Sequence, residues 1–367
     1  MIAASGPTPR PGILDIAPYV GGEASIDGVE QPIRLASNES ALGPSPKAIA
    51  AYQALADEIH RYPEGGSRQL REAIGARHGL DPARIICGAG SDELIALLLR
   101  CYAGPGDEVL YSRHGFLMYP IGALSVGATP VAAPERDLTS DVDALLARIT
   151  PRTRIVFIAN PNNPTGTYLG ADELARLHRG LPASVLLAID AAYAEFVNRN
   201  DYTAGAALVD RADNVVMLRT FSKIYALAGL RLGWGYCPPA IADVLNRVRG
   251  PFNVSTPAAA AGTAAVEDTA ALARARAHND RWLPWFASRL AGLGLELTPS
   301  VANFVLPRFP VEPGRDADAA FAFLRSHGIL TRKMGGYGLP QHLRITIGTG
   351  DEMEKVASVL DKFMGRR

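Results

Sequence analysis

The sequence predicts an α/β protein in which a mostly parallel central sheet, covered by helices, forms a large domain and a smaller α+β domain follows. Three observations support this fold class. Between residues 84 and 236, short apolar segments of strand length alternate with segments of helical periodicity. These apolar segments are continuous, which is typical of parallel strands buried on both faces. After about residue 251 the pattern changes to longer helical segments and a few short strands.

The elements follow in order along the chain. Residues 1–33 are rich in Pro and Gly and are predicted to form an N-terminal arm, the large domain is predicted over residues 34–251, and the small C-terminal domain over residues 252–367. The first helix is predicted to begin at Ser45-Pro46, because a capping hydroxyl followed by Pro at the first helical position marks a helix start.

The remaining predictions rest on apolar periodicity. The predicted helices of the large domain are residues 45–59, 67–78, 94–102, 116–126, 142–149 and 172–179. Its predicted strands are residues 84–87, 108–111, 129–132, 153–159, 184–190, 214–218 and 231–236. The small domain is predicted to contain the helices 258–266, 270–293, 317–326 and one from residue 351, and the strands 295–298, 303–306, 329–332 and 343–347.

The composition argues against several classes of partner. The 37 basic and 37 acidic residues give a formal charge of zero, so nothing favours nucleic acid or an anionic membrane. No apolar run approaches the ~18 residues that span a bilayer, and the N-terminus has no apolar segment typical of a signal peptide. The three cysteines form no C-x-x-C pair and the seven histidines show no zinc spacing. We therefore expect reduced thiols, a cytoplasmic location and no metal ion.

Lys223 stands out among the basic residues. Only five of the 37 are lysine, and the others are arginine. Arginine cannot be deprotonated in a protein, whereas a lysine with a lowered pKa can act as an amine nucleophile. Lys223 lies between an apolar strand and an Ala/Leu/Gly-rich run, where a lysine is costly unless it is paired or used chemically. On this stretch alone, a lysine that snorkels from a strand end remains an alternative.

Two features near strand ends predict an anion-binding site. Residues 88–93, Gly-Ala-Gly-Ser-Asp-Glu, present glycines and a capping Ser before a helix, and helix N-termini of this kind bind phosphate. The segment completes neither G-x-G-x-x-G nor the P-loop pattern, which counts against a nucleotide-binding protein. Arg231 follows Lys223 by eight residues and is predicted at the start of a strand, where it could bind an anion bidentately.

Further polar residues follow two buried strands, at the sheet edge where ligands bind in this architecture. Residues 160–166, Asn-Pro-Asn-Asn-Pro-Thr-Gly, form a rigid turn and could be no more than that. Asp190 ends an apolar run with Tyr193 three residues later. It is either a helix cap or a buried carboxylate that needs a cation. With Lys223 and the anion site, these residues suit pyridoxal phosphate, which needs a lysine, a carboxylate for its ring nitrogen and a phosphate site.

The same segments resemble those of the fold-type-I pyridoxal-phosphate-dependent aminotransferases. The resemblance lies in residues 90–93, 160–166, 190–193 and 222–234. Residues 37–46, 61–63, 114–116 and 337–348 are similar to the branch of the family that acts on histidinol phosphate. The match covers nearly the whole chain in the family's order, so it implies the family's fold, with the large domain binding pyridoxal 5'-phosphate.

The resemblance also implies roles for individual residues. Lys223 would be joined to the cofactor aldehyde and would then move a proton between the substrate carbon and the cofactor. Asp190 would pair with the pyridinium nitrogen, and Asn163 and Tyr193 would hydrogen-bond to the phenolic oxygen. Phe116, where relatives often carry Tyr, would stack on the ring. The catalytic residues would thus be Lys223, Asp190 and Tyr193.

The remaining roles concern the two anions. The cofactor phosphate would be bound by Ser91, Asp92 (through its backbone), Ser222 and Arg231, and by Tyr62 reaching across the interface of a homodimer. The anionic end of the substrate would meet Asn38, Arg332 and Arg344. Two guanidinium groups can bind either a phosphate or a carboxylate bidentately, although Arg332 and Arg344 could also be plain surface arginines.

The activity implied by the resemblance is transamination of L-histidinol phosphate with 2-oxoglutarate, which gives imidazole-acetol phosphate and glutamate in histidine biosynthesis. Two alternatives within the same class are an aromatic amino-acid aminotransferase and an enzyme similar to threonine-phosphate decarboxylase. An alternative of a different class is a non-catalytic pyridoxal-phosphate-sensing module of a transcription regulator. Such a module would need a DNA-binding segment, and the 33-residue arm is short and not basic.

Overall fold

The computed structural model describes residues 6–365 of the chain. Its strands are, in chain order, β1 (Ile33–Arg34), β2 (Ile85–Gly88), β3 (Glu108–Ser112), β4 (Thr129–Ala133), β5 (Glu135–Arg136), β6 (Thr139–Ser140), β7 (Thr153–Ala159), β8 (Leu186–Asp190), β9 (Val215–Thr220), β10 (Gly233–Tyr236), β11 (Glu296–Leu297), β12 (Phe304–Val305), β13 (Pro307–Arg308), β14 (Ile329–Leu330), β15 (Arg332–Lys333) and β16 (Leu343–Thr346). Its α-helices are α1 (Pro46–Gln53), α2 (Arg68–His78), α3 (Ser91–Tyr102), α4 (Met118–Val126), α5 (Val142–Leu146), α6 (Ala171–Gly180), α7 (Ala206–Val209), α8 (Pro239–Val248), α9 (Thr256–Glu267), α10 (Thr269–Gly292), α11 (Ala317–Ser326) and α12 (Gly350–Phe363).

A seven-stranded sheet in the order β2-β10-β9-β8-β7-β3-β4 forms the centre of the large domain. The pairs β9–β8, β8–β7, β7–β3 and β3–β4 are parallel. Strand β10 is antiparallel to both of its neighbours, β2 and β9. The predicted fold class, a mostly parallel sheet in an α/β protein, is therefore confirmed.

Helices cover both faces of this sheet, and the residues of each strand alternate between the two covered faces. In β7, Val156 and Ile158 belong to one apolar core, and Ile155 and Phe157 belong to the core on the other side. Every second side chain points to the same face of a strand. A strand covered on both faces must therefore be apolar at every position, which explains the continuous apolar runs in the sequence.

The small domain has its own core. Strands β12, β16 and β15 form an antiparallel sheet, and helices α10, α11 and α12 bury the apolar side chains of Phe286, Leu324 and Leu360 around it. Helix α12 begins with a capping box in which the Thr349 hydroxyl accepts from the Glu352 amide, and the Glu352 carboxylate accepts from the Thr349 amide.

The predicted domain boundaries stay a prediction, and two elements make contacts across them. Strand β1 pairs in parallel with β14 of the small domain, and Leu35 lies in the small domain's core. Helix α9 contributes Ala258 and Ala261 to the large domain's core. Of the predicted arm, residues 1–5 lie outside the described residues. Further along the arm, Glu23 forms an ion pair with Arg325 and the Val20 carbonyl accepts from Arg332.

One predicted helix was wrong in extent, and some elements of the structure were not predicted. Helix α1 ends at Gln53 rather than at residue 59. Most side chains beyond Gln53 are exposed, so no buried apolar face sustains the helix. Helix α8 was not predicted, although Pro239 in its first turn and the buried Ile241, Ala242 and Leu245 are ordinary helix signals. The short hairpin of β5 and β6 was also missed.

Among residues 6–365, no helix combines the length and apolar content needed to cross a membrane. Within the same residues, His, Cys, Asp and Glu side chains form no cluster of three or more that could hold a metal ion.

We predict that Gly233→Ala lowers the free energy of unfolding by about 2 kcal/mol, a typical cost of overpacking. A Cβ at this position of β10 would lie 2.3 Å from the Ser91 amide nitrogen and 2.6 Å from the Gly90 carbonyl carbon. Urea titration of the cofactor-free protein measures the change. Gly292→Ala, at the end of α10 with nothing within 4 Å, is the control and should cost nothing. A Gly233→Ala variant as stable as the parent would contradict this close approach.

Candidate active site

A cavity of about 350 Å³ lies at the carboxyl ends of β7, β8 and β9, where Ala159, Asp190 and Thr220 line it. Its volume falls within the range of roughly 300–1,000 Å³ that small-molecule sites occupy. All predicted site residues except Tyr62 line this one cavity: Asn38, Ser91, Asp92, Phe116, Asn163, Asp190, Tyr193, Ser222, Lys223, Arg231, Arg332 and Arg344. The sequence separates these residues by up to about 300 positions, and the fold brings them together.

Lys223 lies in the loop between β9 and β10 with its amine in the cavity. Its Nζ donates a hydrogen bond to the Ser37 carbonyl at 3.0 Å and lies 5.7 Å from the centre of the Tyr193 ring. Burial, together with the positive charges of Arg344 and Arg231, lowers the pKa of Lys223 to about 8. An ordinary lysine is almost wholly protonated at neutral pH, whereas this one has a substantial neutral fraction just above pH 7. It is therefore suited to act as a nucleophile or base.

Asp190, the last residue of β8, is a buried carboxylate that lines the cavity. Its Oδ2 accepts from the Tyr119 hydroxyl at 2.8 Å, and its Oδ1 accepts from the Ala192 amide at 3.3 Å. Burial raises the pKa of Asp190 to about 6 despite these hydrogen bonds. Within residues 6–365, no lysine, arginine or histidine forms a salt bridge with it. A ligand that brings a cation into the cavity would compensate this charge.

The predicted anion-binding site lies on another side of the cavity, at the N-terminus of α3. The helix begins at Ser91, and its N-cap is Gly90, with φ 87° and no side-chain cap, so the prediction that Ser91 caps the helix was wrong. The first-turn amides point their hydrogens outward, and the helix dipole favours an anion there. A Cβ at Gly90 would lie 2.6 Å from Arg231 Nη2, so only glycine lets the guanidinium approach this turn.

Arg231 also lies at the predicted anion-binding site. The prediction that it begins a strand was wrong, because β10 begins at Gly233. Arg231 itself ends the short turn Ala228–Leu230 with a left-handed φ of 49°. Its guanidinium donates to Ser222 Oγ at 3.4 Å and to Asp92 Oδ2 at 3.3 Å. The side chains of Arg231 and Asp92 are about half exposed, and such a pair contributes little by itself. An incoming anion could therefore take over the guanidinium at small cost.

Arg344 and Arg332 carry the positive charge on the small-domain side. They are direct partners in the antiparallel pair β15–β16, where like charges repel unless an anion lies between them. Arg344 is buried, so the interpretation as a surface arginine was wrong for this residue. It donates to Asn163 Oδ1 and to the Ala36 carbonyl, and its Nε has no partner. An unsatisfied buried donor of this kind would be compensated by a hydrogen-bond acceptor on a ligand.

Arg332 contacts the arm. It donates to the Val20 carbonyl and lies 5.6 Å from the centre of the Tyr19 ring. Tyr19 in turn packs edge to face against Phe116, with the ring centres 6.5 Å apart. Tyr19 and Phe116 both line the cavity, so an aromatic wall stands beside the arginine pair.

Asn38 and Tyr62 lie differently from the other predicted residues. Asn38 is buried, and its amide nitrogen donates to the Tyr193 hydroxyl at 2.8 Å. The assignment of Asn38 to an anion of the substrate stays a prediction. Tyr62 is 84% exposed, stacks on Phe252 with the ring centres 4.7 Å apart, and does not line the cavity of its own chain. Its predicted role across a dimer interface therefore also stays a prediction.

Three residues at or next to the site were not predicted from the sequence: Tyr19, Tyr119 and Thr346. Tyr119 follows Phe116 by three positions, and Thr346 follows Arg344 by two. Those spacings place each residue on the same side of the chain as its predicted neighbour, a signal that could have identified them. Tyr19 lies in the unpatterned arm, where nothing in the sequence distinguishes it.

Comparison with known proteins agrees with this geometry. The family model described as aminotransferase class I and II matches residues 30–360. The chain is 64% identical over 361 residues to histidinol-phosphate aminotransferase of Paramagnetospirillum magneticum, with 98% of this chain and 99% of the relative covered. It is also 64% identical over 360 residues to the enzyme of the same name from Rhodospirillum centenum, with 98% and 99% covered.

Among solved structures, histidinol-phosphate aminotransferase from Sinorhizobium meliloti in complex with pyridoxal-5'-phosphate superposes with a TM-score of 0.90. The two chains are 29% identical, and 98% of each is covered. Because the family model spans most of the chain and these relatives match it over nearly its full length, the chain belongs to the class I and II aminotransferase family.

Proposed function

We propose that the protein is a pyridoxal-phosphate-dependent aminotransferase that acts on L-histidinol phosphate and 2-oxoglutarate. The products are imidazole-acetol phosphate and glutamate, and the reaction belongs to histidine biosynthesis. Relatives that are 53–64% identical carry the corresponding name. The observation that carries the proposal is the convergence of Lys223, Asp190 and Arg231 on one cavity.

The residues of the cavity fit the cofactor in three separate ways. Lys223 offers an amine of lowered pKa to the aldehyde. Asp190 is a buried carboxylate without a cationic partner in the described chain, which suits a protonated ring nitrogen. The N-terminus of α3 with Arg231 and Ser222 suits the phosphate. When bound, pyridoxal phosphate supplies an electron sink that stabilises negative charge at the substrate carbon.

The chain's own groups divide the remaining work. The Lys223 amine would hold the cofactor aldehyde, and as a free amine it would move the proton at the substrate carbon that bears nitrogen. Asp190 keeps the proton on the ring nitrogen, and Tyr119 holds the carboxylate in place. Asn163 receives the Arg344 guanidinium on its Oδ1, so its amide nitrogen is free to donate to the phenolic oxygen.

The arginine pair accounts for two different substrates in one site. Histidinol phosphate carries a phosphate, and glutamate carries a carboxylate at the corresponding end. Arg344 and Arg332 can bind either group bidentately. A reaction in two halves needs one anion site that accepts both groups in turn. The aromatic wall of Tyr19 and Phe116 beside it also suits an aromatic side chain, which keeps an aromatic amino-acid aminotransferase as the second candidate.

The proposal includes a homodimer in the cytoplasm. Several large apolar side chains are exposed near α1 and the following loop: Leu42, Ile49, Tyr52, Ile59, Tyr62 and Phe252. A second copy that covers them would bring its Tyr62 towards the neighbour's anion-binding site. The free thiols of Cys87, Cys101 and Cys237 support a reducing compartment.

Histidinol phosphate should be the preferred amino donor. We expect its kcat/KM with 2-oxoglutarate to exceed those of phenylalanine and tyrosine by about a hundredfold, because only a phosphate offers two charges to the arginine pair; this factor corresponds to about 3 kcal/mol of transition-state binding. Steady-state kinetics over this panel measure it, with Lys223→Ala as the blank and Lys333→Ala as its matched control.

Other results would support the alternatives. A preference for phenylalanine or tyrosine would indicate an aromatic amino-acid aminotransferase. Release of CO2 from threonine phosphate would indicate a decarboxylase. A protein that binds pyridoxal phosphate but turns over no donor would be a sensing module.

Asp190→Asn should stabilise the cofactor-free protein at pH 8 and weaken its binding of pyridoxal phosphate. The pKa of Asp190 is raised from 3.8 to about 6. Between these values the folded state holds a proton that the unfolded chain releases, so the free energy of unfolding falls as pH rises from about 4 to about 6. The asparagine side chain does not titrate, so the variant keeps this part of the free energy of unfolding, which is at most about 3 kcal/mol.

Thermal melts of the cofactor-free proteins at pH 4 and pH 8 measure the effect, with the exposed Asp57→Asn as the control. The melting temperatures of parent and Asp190→Asn should coincide at pH 4 and diverge at pH 8. A variant that is less stable at pH 8, or that binds the cofactor as tightly as the parent, would contradict the role of Asp190.

Sedimentation should give twice the mass of one chain. Tyr62→Phe should leave this mass unchanged and weaken cofactor retention by about tenfold, the loss of one hydrogen bond to a charged group. Tyr52→Phe, another exposed tyrosine nearby, is the matched control. A fully active monomer, or equal retention in both variants, would contradict the exchange of Tyr62 between copies.

A further inference from the structure

A buried chain of hydrogen bonds leads from the small domain to the cavity through Thr346, Asn38 and Tyr193. The Thr346 hydroxyl, on β16, donates to Asn38 Oδ1 at 3.1 Å and accepts from the Asn38 backbone amide at 3.0 Å. Asn38 Nδ2 then donates to the Tyr193 hydroxyl at 2.8 Å. All three side chains are nearly inaccessible to solvent. We call these residues the Thr346–Asn38–Tyr193 chain.

The direction of every proton in this chain follows from the groups involved. Among the described residues, the one acceptor of the buried Thr346 hydroxyl proton is Asn38 Oδ1, and a flipped Asn38 amide would leave that proton without a partner. This bond fixes which side of the Asn38 amide is oxygen and turns its NH₂ towards Tyr193. The Tyr193 oxygen accepts that hydrogen bond, which leaves its own proton unused.

The Tyr193 hydroxyl can donate its proton only into the cavity. Among the described residues, no atom accepts a hydrogen bond from the Tyr193 hydroxyl, and Tyr193 lines the cavity. Burial raises the pKa of Tyr193, so the hydroxyl stays protonated and can act as a donor. A buried donor without a partner in the protein needs one in the ligand.

We propose that Thr346 is a positioning residue whose hydroxyl, acting through Asn38, directs the Tyr193 proton into the cavity towards the phenolic oxygen of the cofactor. The inference rests on the proposed function and assigns Asn38 an orienting role. Thr346 and Arg344 lie two residues apart on the same strand, and Arg344 is held by Asn163 and the Ala36 carbonyl. The strand that carries the anion-binding arginine therefore also carries the residue that orients Tyr193.

The pH midpoint of the visible absorbance of the bound cofactor reports on this chain. A donor to the phenolic oxygen withdraws negative charge from it and so disfavours protonation of the neighbouring lysine nitrogen. The charged and titratable groups that face Tyr193 are Arg344, Asp190, Lys223 and Tyr337. An isosteric change at Thr346 leaves all four in place, so a changed midpoint reports the lost hydroxyl.

The test compares Thr346→Val, Thr346→Ser and Thr331→Val, each loaded with pyridoxal phosphate and titrated by absorbance. Thr346→Val should raise the midpoint by about one pH unit, the effect of one hydrogen bond, and Thr346→Ser should restore it. Thr331 is the matched control, because it is a buried threonine of the small domain whose hydroxyl has no partner. Its valine variant should titrate like the parent.

A second set of variants shows whether the effect passes through Tyr193. Tyr193→Phe should raise the midpoint by itself, and adding Thr346→Val to it should change nothing further. Asn38→Asp gives an independent route if Thr346→Val fails to fold. Its new carboxylate would accept the Tyr193 proton and take it away from the cavity, so the midpoint should again rise.

An unchanged midpoint in Thr346→Val, or a shift that persists in the Tyr193→Phe background, would overturn the inference. If Thr346→Val does not fold, an unchanged absorbance midpoint in Asn38→Asp would overturn the inference. These results are distinct from failure of the proposed function, in which the parent protein itself would show no cofactor absorbance to titrate.

Discussion

The charge of Asp190 is the constraint on which the site depends. The carboxylate ends a buried strand, is 6% exposed, and has two hydrogen-bond donors but no salt-bridge partner within the described residues. Burial without a counter-charge is unfavourable, and the fold tolerates it because Asp190 and the two apolar faces of β8 are part of the central sheet. In the proposed function, a protonated pyridine nitrogen would remove the imbalance. On this proposal, the protein selects this cofactor through an unfavourable buried charge that the stability of the rest of the domain offsets.

The sheet and three backbone features place the other groups around that carboxylate. Parallel strands end at one edge, so Asp190, Thr220 and the loop with Lys223 lie side by side. Gly90 and Gly233 let the turn before α3, the Arg231 guanidinium and β10 approach each other more closely than any side chain would allow. The left-handed turn at Arg231 then points its guanidinium back to the helix N-terminus. The proposed anion-binding site thus depends on backbone shape as much as on charge.

Much of this arrangement could be predicted from the sequence, and the reasons are physical. Lys223 and Asp190 follow strongly apolar strands, and such strands identify a parallel sheet and the edge where it binds ligands. Asn38 and Tyr193 were predicted as site residues, but the hydrogen bonds of the Thr346–Asn38–Tyr193 chain could not be predicted, because only the packing of the small domain brings together residues that lie up to about 300 positions apart. The extent of α1 and the turn at Arg231 were mispredicted because both depend on burial and backbone conformation, which local residue patterns report weakly.

The most direct test of the central claim is to find where the cofactor attaches. The parent protein is loaded with pyridoxal phosphate, treated with sodium borohydride to make the link to the protein permanent, digested, and mapped by peptide mass spectrometry. Five lysines are available, and Lys333 on β15 of the small domain is an internal control. The account predicts one stoichiometric label, on Lys223. A label spread over several lysines, or a parent protein that takes up none, would contradict it.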